Sequence, residues 1–143
     1  MAGYKKILVL LDLTDVSEQI AVAGREMAAH SNAAMVILHV VEFVPPEPMG
    51  ETLMPSVQIE ADLVQRSRAK LSELSARLGL SSVTLRVEAG NKKSEILRVA
   101  KEEAVDLIVL GSRVRHGLGI LVNFTEDTVL HAAHCDVLAI RLT

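Results

Sequence analysis

Apolar positions along this chain follow two alternating rhythms: short continuous runs, and longer stripes at helical spacing. Lys5–Leu11 is an apolar run behind two lysines, the pattern of a strand buried on both faces. Asp15–His30 places Ile20, Gly24, Met27 and Ala28 on one helical face, with Thr14 or Asp15 available to cap its start. Ala34–Val41 reads as a second buried strand. All four prolines (Pro45, Pro46, Pro48, Pro55) then fall within Glu42–Ser56, an irregular excursion that covers the site as a lid or is an ordinary surface loop. From Val57, the positions Ala61, Val64, Leu71, Leu74 and Leu78 form one stripe that Gly79 ends. Val83–Val87 alternates as a third strand. Ser94–Glu103 is a helix with Ile96, Leu97 and Ala100 on one face. Leu107–Leu110 is a fourth strand and Gly111–Leu121 a glycine-bearing connection. Thr125–Ala133 is a last helix with Val129, Leu130 and Ala133 inward, and Val137–Leu142 a fifth strand.

Five strands alternating with four helices predict a Rossmann-like α/β fold. Parallel neighbours need right-handed helical crossovers, which cover both faces of an open sheet. The expected strand order is 3-2-1-4-5, in one domain spanning residues 1–143 with no internal repeat. Ligands bind such sheets at the carboxyl ends of the strands, where the strand order reverses. Here that crevice lies between Leu11-Asp12-Leu13-Thr14 and Gly111-Ser112-Arg113.

Composition narrows the functional classes. Fifteen basic against 18 acidic residues give a net charge of −3, without the basic excess of a nucleic-acid binder. No apolar run approaches the roughly 20 residues of a membrane span. The N-terminus, Met1–Lys6 before Ile7–Leu11, superficially resembles a signal peptide. Its apolar run is short, however, and Asp12 and Asp15 stand where a cleavage site needs small residues, so the expected location is the cytoplasm. One cysteine, Cys135, excludes an internal disulfide. His131, His134 and Cys135 have weak metal-ligand geometry, and no metal site is expected. No nucleophile with an evident base is present, and no catalytic residue is assigned.

The stretch Gly111–Gly119 sits between a strand and a helix. Glycines there let backbone N–H groups approach a phosphate, and Arg113, Arg115 and His116 add positive charge. A flexible turn with solvated charges has the same local pattern. Asp12 likewise admits two readings, a ligand-facing acid or the cap of the next turn. His39 reads as a satisfied core or crevice residue.

The chain as a whole resembles the universal stress protein family, with a UspA-like pattern. The resemblance rests on Lys6-Ile7-Leu8-Val9 with Asp12, Leu38-His39-Val40-Val41, Gly90 with Ile96 and Ala100, Asp106–Ser112, Val129-Leu130 and Cys135–Ile140. It implies an adenine-nucleotide site, with ATP or AMP as ligand, in which Asp12 faces the nucleotide and Val41 offers its backbone to the adenine. The implied phosphate motif is glycine, two residues, glycine, about nine residues, then glycine with serine or threonine. Gly111 matches its first glycine and Thr125 its hydroxyl residue; Arg113, Arg115 and Gly117 remain as candidate contacts. The second glycine falls on Val114, and the third on Phe124 or, in a shorter register, Asn123. A β-branched Val114 resists positive φ, and Phe124 is bulky where bare backbone is expected. Glu126 and Asp127 open the last helix, where they repel a phosphate. The expectation is therefore a regulatory binding module with a degenerate nucleotide site. A nucleotide binder with a modified loop and a slow nucleotide hydrolase are the alternatives.

The final strand is apolar at Val137, Leu138, Ala139, Ile140 and Leu142. An exposed apolar edge is a liability unless paired. The family resemblance also implies dimers joined through this strand, so a two-fold homodimer is expected.

Overall fold

The computed structural model describes residues 3–14, 16–42, 56–80, 82–113, 129 and 131–142. Five parallel strands form one sheet: β1 (Lys6–Leu10), β2 (Ala34–Val41), β3 (Thr84–Ala89), β4 (Leu107–Arg113) and β5 (Asp136–Leu142). Three helices, α1 (Ser17–Ser31), α2 (Ser56–Arg77) and α3 (Lys92–Glu102), lie between them in the chain. The strand order is β3-β2-β1-β4-β5, as the alternation of elements predicts. Of the expected excursion Glu42–Ser56, residues 43–55 lie outside the described residues, as does most of the expected last helix, while Ser56 begins α2. Val129, His131 and Ala132 are helical.

Strand residues point alternately to the two faces, and each face carries its own core. Ile7, Val9, Met35, Ile37, Leu107 and Val109 pack with Ile20, Ala21, Leu71 and Leu74 of α1 and α2. Leu8, Val36, Leu38, Ile108 and Leu110 pack on the other side with Ile96, Val99 and Ala100 of α3, and with Val129. Each such side chain larger than alanine, moved out of water, contributes roughly 1.5–3 kcal/mol before chain entropy is set against it. A central sheet covered on both sides follows from this two-sided burial.

Several boundaries differ from the sequence pattern. Ala61 is exposed, and Leu63, outside the expected stripe, reaches the core beside Val64, which was expected there. On α3 Leu97 is only half-buried while Val99 is fully buried, so the helix is rotated from the expected face. The N-cap of α1 is Val16, not the expected Thr14, and makes no side-chain bond; Asp15, the other expected cap, lies outside the described residues. Gly79 does end α2, in the left-handed region (φ 69°), with the Leu80 N–H donating to the Ser75 carbonyl at 2.9 Å.

Candidate functional site

Register places the crevice. β1 pairs with β4 from Ile7↔Leu107 to Val9↔Val109, whereas β4 continues beside β5 as far as Arg113↔Leu142. β1 meanwhile stays with β2: Leu10 pairs with Leu38, and the Leu11 N–H donates to the Leu38 carbonyl at 2.9 Å. The sheet thus forks between β1 and β4 at the point where strand order reverses. Gly111, Ser112 and Arg113, expected in a loop, belong to β4, because pairing with Ile140, Arg141 and Leu142 satisfies their backbone.

One wall of the fork is the β1–α1 turn. Asp12 Oδ1 accepts from the Thr14 N–H (3.1 Å), the Thr14 hydroxyl (2.7 Å) and the buried Ser17 hydroxyl (2.9 Å). Asp12 therefore ties the turn to the side chain of the first residue of α1, the turn-bonding role that its position after the first strand also allowed. Leu13 between them has φ 60°, a left-handed conformation costing a non-glycine residue about 1–2 kcal/mol. Its side chain packs against the α1–α2 core and lines a groove of about 370 Å³ with Thr14, Ser17, Lys70 and Leu74.

The floor beyond β1 is the end of β2. Val41 is 7% exposed, and its carbonyl accepts from the Gly90 N–H at 3.0 Å. Glu42, next along, accepts from the Lys92 N–H at 3.4 Å, tying the start of α3 to this end of the sheet. His39, two residues before Val41, is half-buried, and its Nδ1 lies 2.8 Å from the Leu11 carbonyl. A carbonyl only accepts, so Nδ1 carries the hydrogen. Burial holds the imidazole below its usual pKa, opposed by the Leu11 contact and by Asp12; Lys92 and Lys70 push it lower. The ring is thus neutral at pH 7.

The fork brings Asp12, Val41 and Gly111 to the same end of the sheet. The side chain of Arg113 and all of Val114, Arg115, Gly117, Asn123, Phe124 and Thr125 lie outside the described residues. Sequence reasoning missed the fixed orientation of His39, whose Nδ1 is bonded to Leu11 while its Nε2 has no partner among the described residues. Its signal was present: a histidine inside an otherwise apolar strand, next to the strand end. Cys135 is half-buried, and burial and the nearby Asp136 and Asp106 raise its thiol pKa, away from a reactive thiolate. Among the described residues no group of three or more His, Cys, Asp or Glu is placed to hold a metal, and no helix is long and apolar enough to cross a membrane.

A parallel sheet in this order, with helices on both faces, is an open Rossmann-like α/β domain. The chain belongs to the universal stress protein family, whose model matches residues 3–141. Universal stress protein A homolog 2 from Coxiella burnetii (strain RSA 493 / Nine Mile phase I) is 36% identical over 143 residues, covering 99% of this chain and 98% of its own length. Universal stress protein UspA from Lactobacillus plantarum superposes with a TM-score of 0.75 at 22% identity, over 99% of this chain and all of the other. A crystal structure of a universal stress protein in complex with cAMP superposes with a TM-score of 0.66 at 21% identity, covering 96% of this chain and 97% of the other. At these identities the two structures establish the shared fold.

Proposed function

We propose that this chain is a dimeric stress-response binding module whose crevice accepts the adenosine part of a nucleotide and grips its phosphates weakly. The observation that carries the reading is the fork between β1 and β4, which opens beside Asp12 and Gly111. Asp12, Val41 and Gly111 match the family pattern there. Val114 and Phe124 (or Asn123) stand where that pattern has the glycines that admit a phosphate, and Glu126 and Asp127 add repulsion. Binding rather than catalysis is the reading, since among the described residues no nucleophile and base are paired. Calorimetric titration with ATP, ADP, AMP and cAMP tests this: adenosine-containing ligands should bind with affinities that gain nothing from each added phosphate. A stepwise gain toward ATP contradicts the degenerate phosphate end.

The dimer part of the proposal draws on the sheet edges. On β5 Leu138 is 37% exposed and Ala139 is exposed. The opposite edge strand, β3, exposes Leu85 at 36% but also carries Arg86 and Glu88 in ion pairs, whereas β5 carries charge only at Asp136 and Arg141 near its two ends. Charged edges discourage strand addition and apolar ones invite it, so the second copy docks on β5. Full activity of the protein is then expected in the cytoplasm as a homodimer.

A second reading, an ATP- or AMP-binding stress protein using Gly111, Arg113, Arg115, Gly117 and Thr125, is favoured by the fold shared with the cAMP complex. The same titration separates the two readings.

A further inference from the structure

We propose that His39 is a specificity-determining residue of the crevice: its Nε2 accepts a hydrogen bond from the exocyclic amine of an adenine laid against Val41. The proposal rests on the crevice being an adenine-nucleotide site, and it names the group that selects the base.

Geometry fixes the ring. Residues two apart on a strand point to the same face, so His39 and Val41 lie side by side on β2, on the face that α1 and α2 cover. The Nδ1–H is committed to the Leu11 carbonyl at 2.8 Å, which sets both the tautomer and the ring's orientation. Nε2 is then a bare acceptor. It has no hydrogen-bond partner among the described residues. No buried side-chain nitrogen or oxygen among them lacks a partner, so Nε2 is open to solvent rather than sealed in the core. A half-buried ring with one edge pinned and the other edge accessible is a preorganised contact.

The chemistry of the base follows. Adenine offers an amine donor where hypoxanthine offers a carbonyl acceptor. Against a bare Nε2 the amine forms a bond, whereas the carbonyl leaves two acceptors facing each other out of water. Sites that hydrogen-bond one substrate group reject the analogue lacking it. The charges bearing on the ring are Asp12 from the β1–α1 turn, Lys92 from α3 and Lys70 from α2. When acid protonates His39, Nε2 turns from acceptor to donor and the preference reverses.

Titration calorimetry with adenosine and inosine tests this on the full chain. At pH 7.5 wild type should favour adenosine by about tenfold or more. Once the pH is low enough to protonate His39, below its usual range because the ring is half-buried, that preference should vanish or invert. In His39→Asn the amide N–H replaces Nδ1–H towards Leu11 with nothing at the Nε2 position, so the preference should collapse while the melting temperature stays near wild type. In His39→Gln the amide both accepts and donates, so adenosine and inosine should bind alike. Adenosine preference that persists in His39→Asn overturns the proposal. Equal binding of both nucleosides by wild type overturns it while leaving the crevice reading intact; binding of neither at millimolar concentration overturns the crevice reading and this proposal together.

Discussion

Asp12 Oδ1 lies 2.9 Å from the Ser17 hydroxyl, so an exposed acid at the end of the first strand holds the buried first residue of the first helix. The same oxygen takes both donors of Thr14. Any ligand contact that Asp12 makes is therefore superimposed on a structural job. Asp12→Ala should lower stability by about 1–3 kcal/mol, because it leaves the buried Ser17 hydroxyl without its acceptor, seen as a lower urea midpoint. Asp12→Asn retains an oxygen acceptor and should lose less. Equal losses would mean that the three bonds contribute little.

Close packing of α1 on β1 gives a second prediction. A Cβ placed on Gly24 would lie 2.5 Å from Val9 Cγ2, on a fully buried side chain of the central strand. Gly24→Ala should therefore destabilise by about 1–3 kcal/mol through overpacking, despite alanine's better helix propensity. The double variant Gly24→Ala/Val9→Ala makes room for the methyl and should cost less than the sum of its parts. Additive losses in thermal unfolding would contradict the contact.

Acid stability should depend on Glu103. Its carboxyl accepts from Lys6 Nζ at 3.0 Å and from Arg86 at 3.1 Å, and the Lys6 contact most of all holds it below the usual carboxylate pKa. A depressed folded-state pKa contributes stability that is fully present above the unfolded value near 4.5 and is lost as pH falls through the folded one. Stability should decline below about pH 4.5, and Lys6→Met should flatten that decline while lowering the neutral plateau. Parallel pH profiles for the two proteins would remove Glu103 from the account.

The β5 edge yields a test of assembly. Leu138→Glu places a charge on the apolar strand, and sedimentation should find a monomer at concentrations where wild type is a dimer. Arg86→Glu, on the opposite edge, should leave the dimer in place. A wild-type monomer at high micromolar concentration contradicts the proposed partner surface.

Much of the fold was legible in the sequence because central parallel strands must be apolar on both faces. The runs through Ile7–Leu11 and Ala34–Val41 have no other reading at that length. Legibility failed where tertiary pairing overrode a local signal. Gly111 suggested a loop, but pairing with Ile140 keeps it in the strand. Ala61 and Val64 fit one helical stripe, and Val64 does face the core, yet α2 turns Leu63 inward rather than Ala61, since the larger side chain buries more apolar area. At the site, Asp12 announced itself by position. The role of His39 depended on which nitrogen meets the Leu11 carbonyl, a contact between residues 28 apart in the chain that no sequence pattern encodes.

The phosphate end of the crevice is decided by titrating ATP and adenosine into wild type and into Val114→Gly/Phe124→Gly. Wild type should bind ATP no more tightly than adenosine, and the double variant should gain about tenfold or more for ATP alone, as amides regain access to the anion. Low-micromolar ATP binding by the wild-type protein, well above its affinity for adenosine, would contradict the degenerate site.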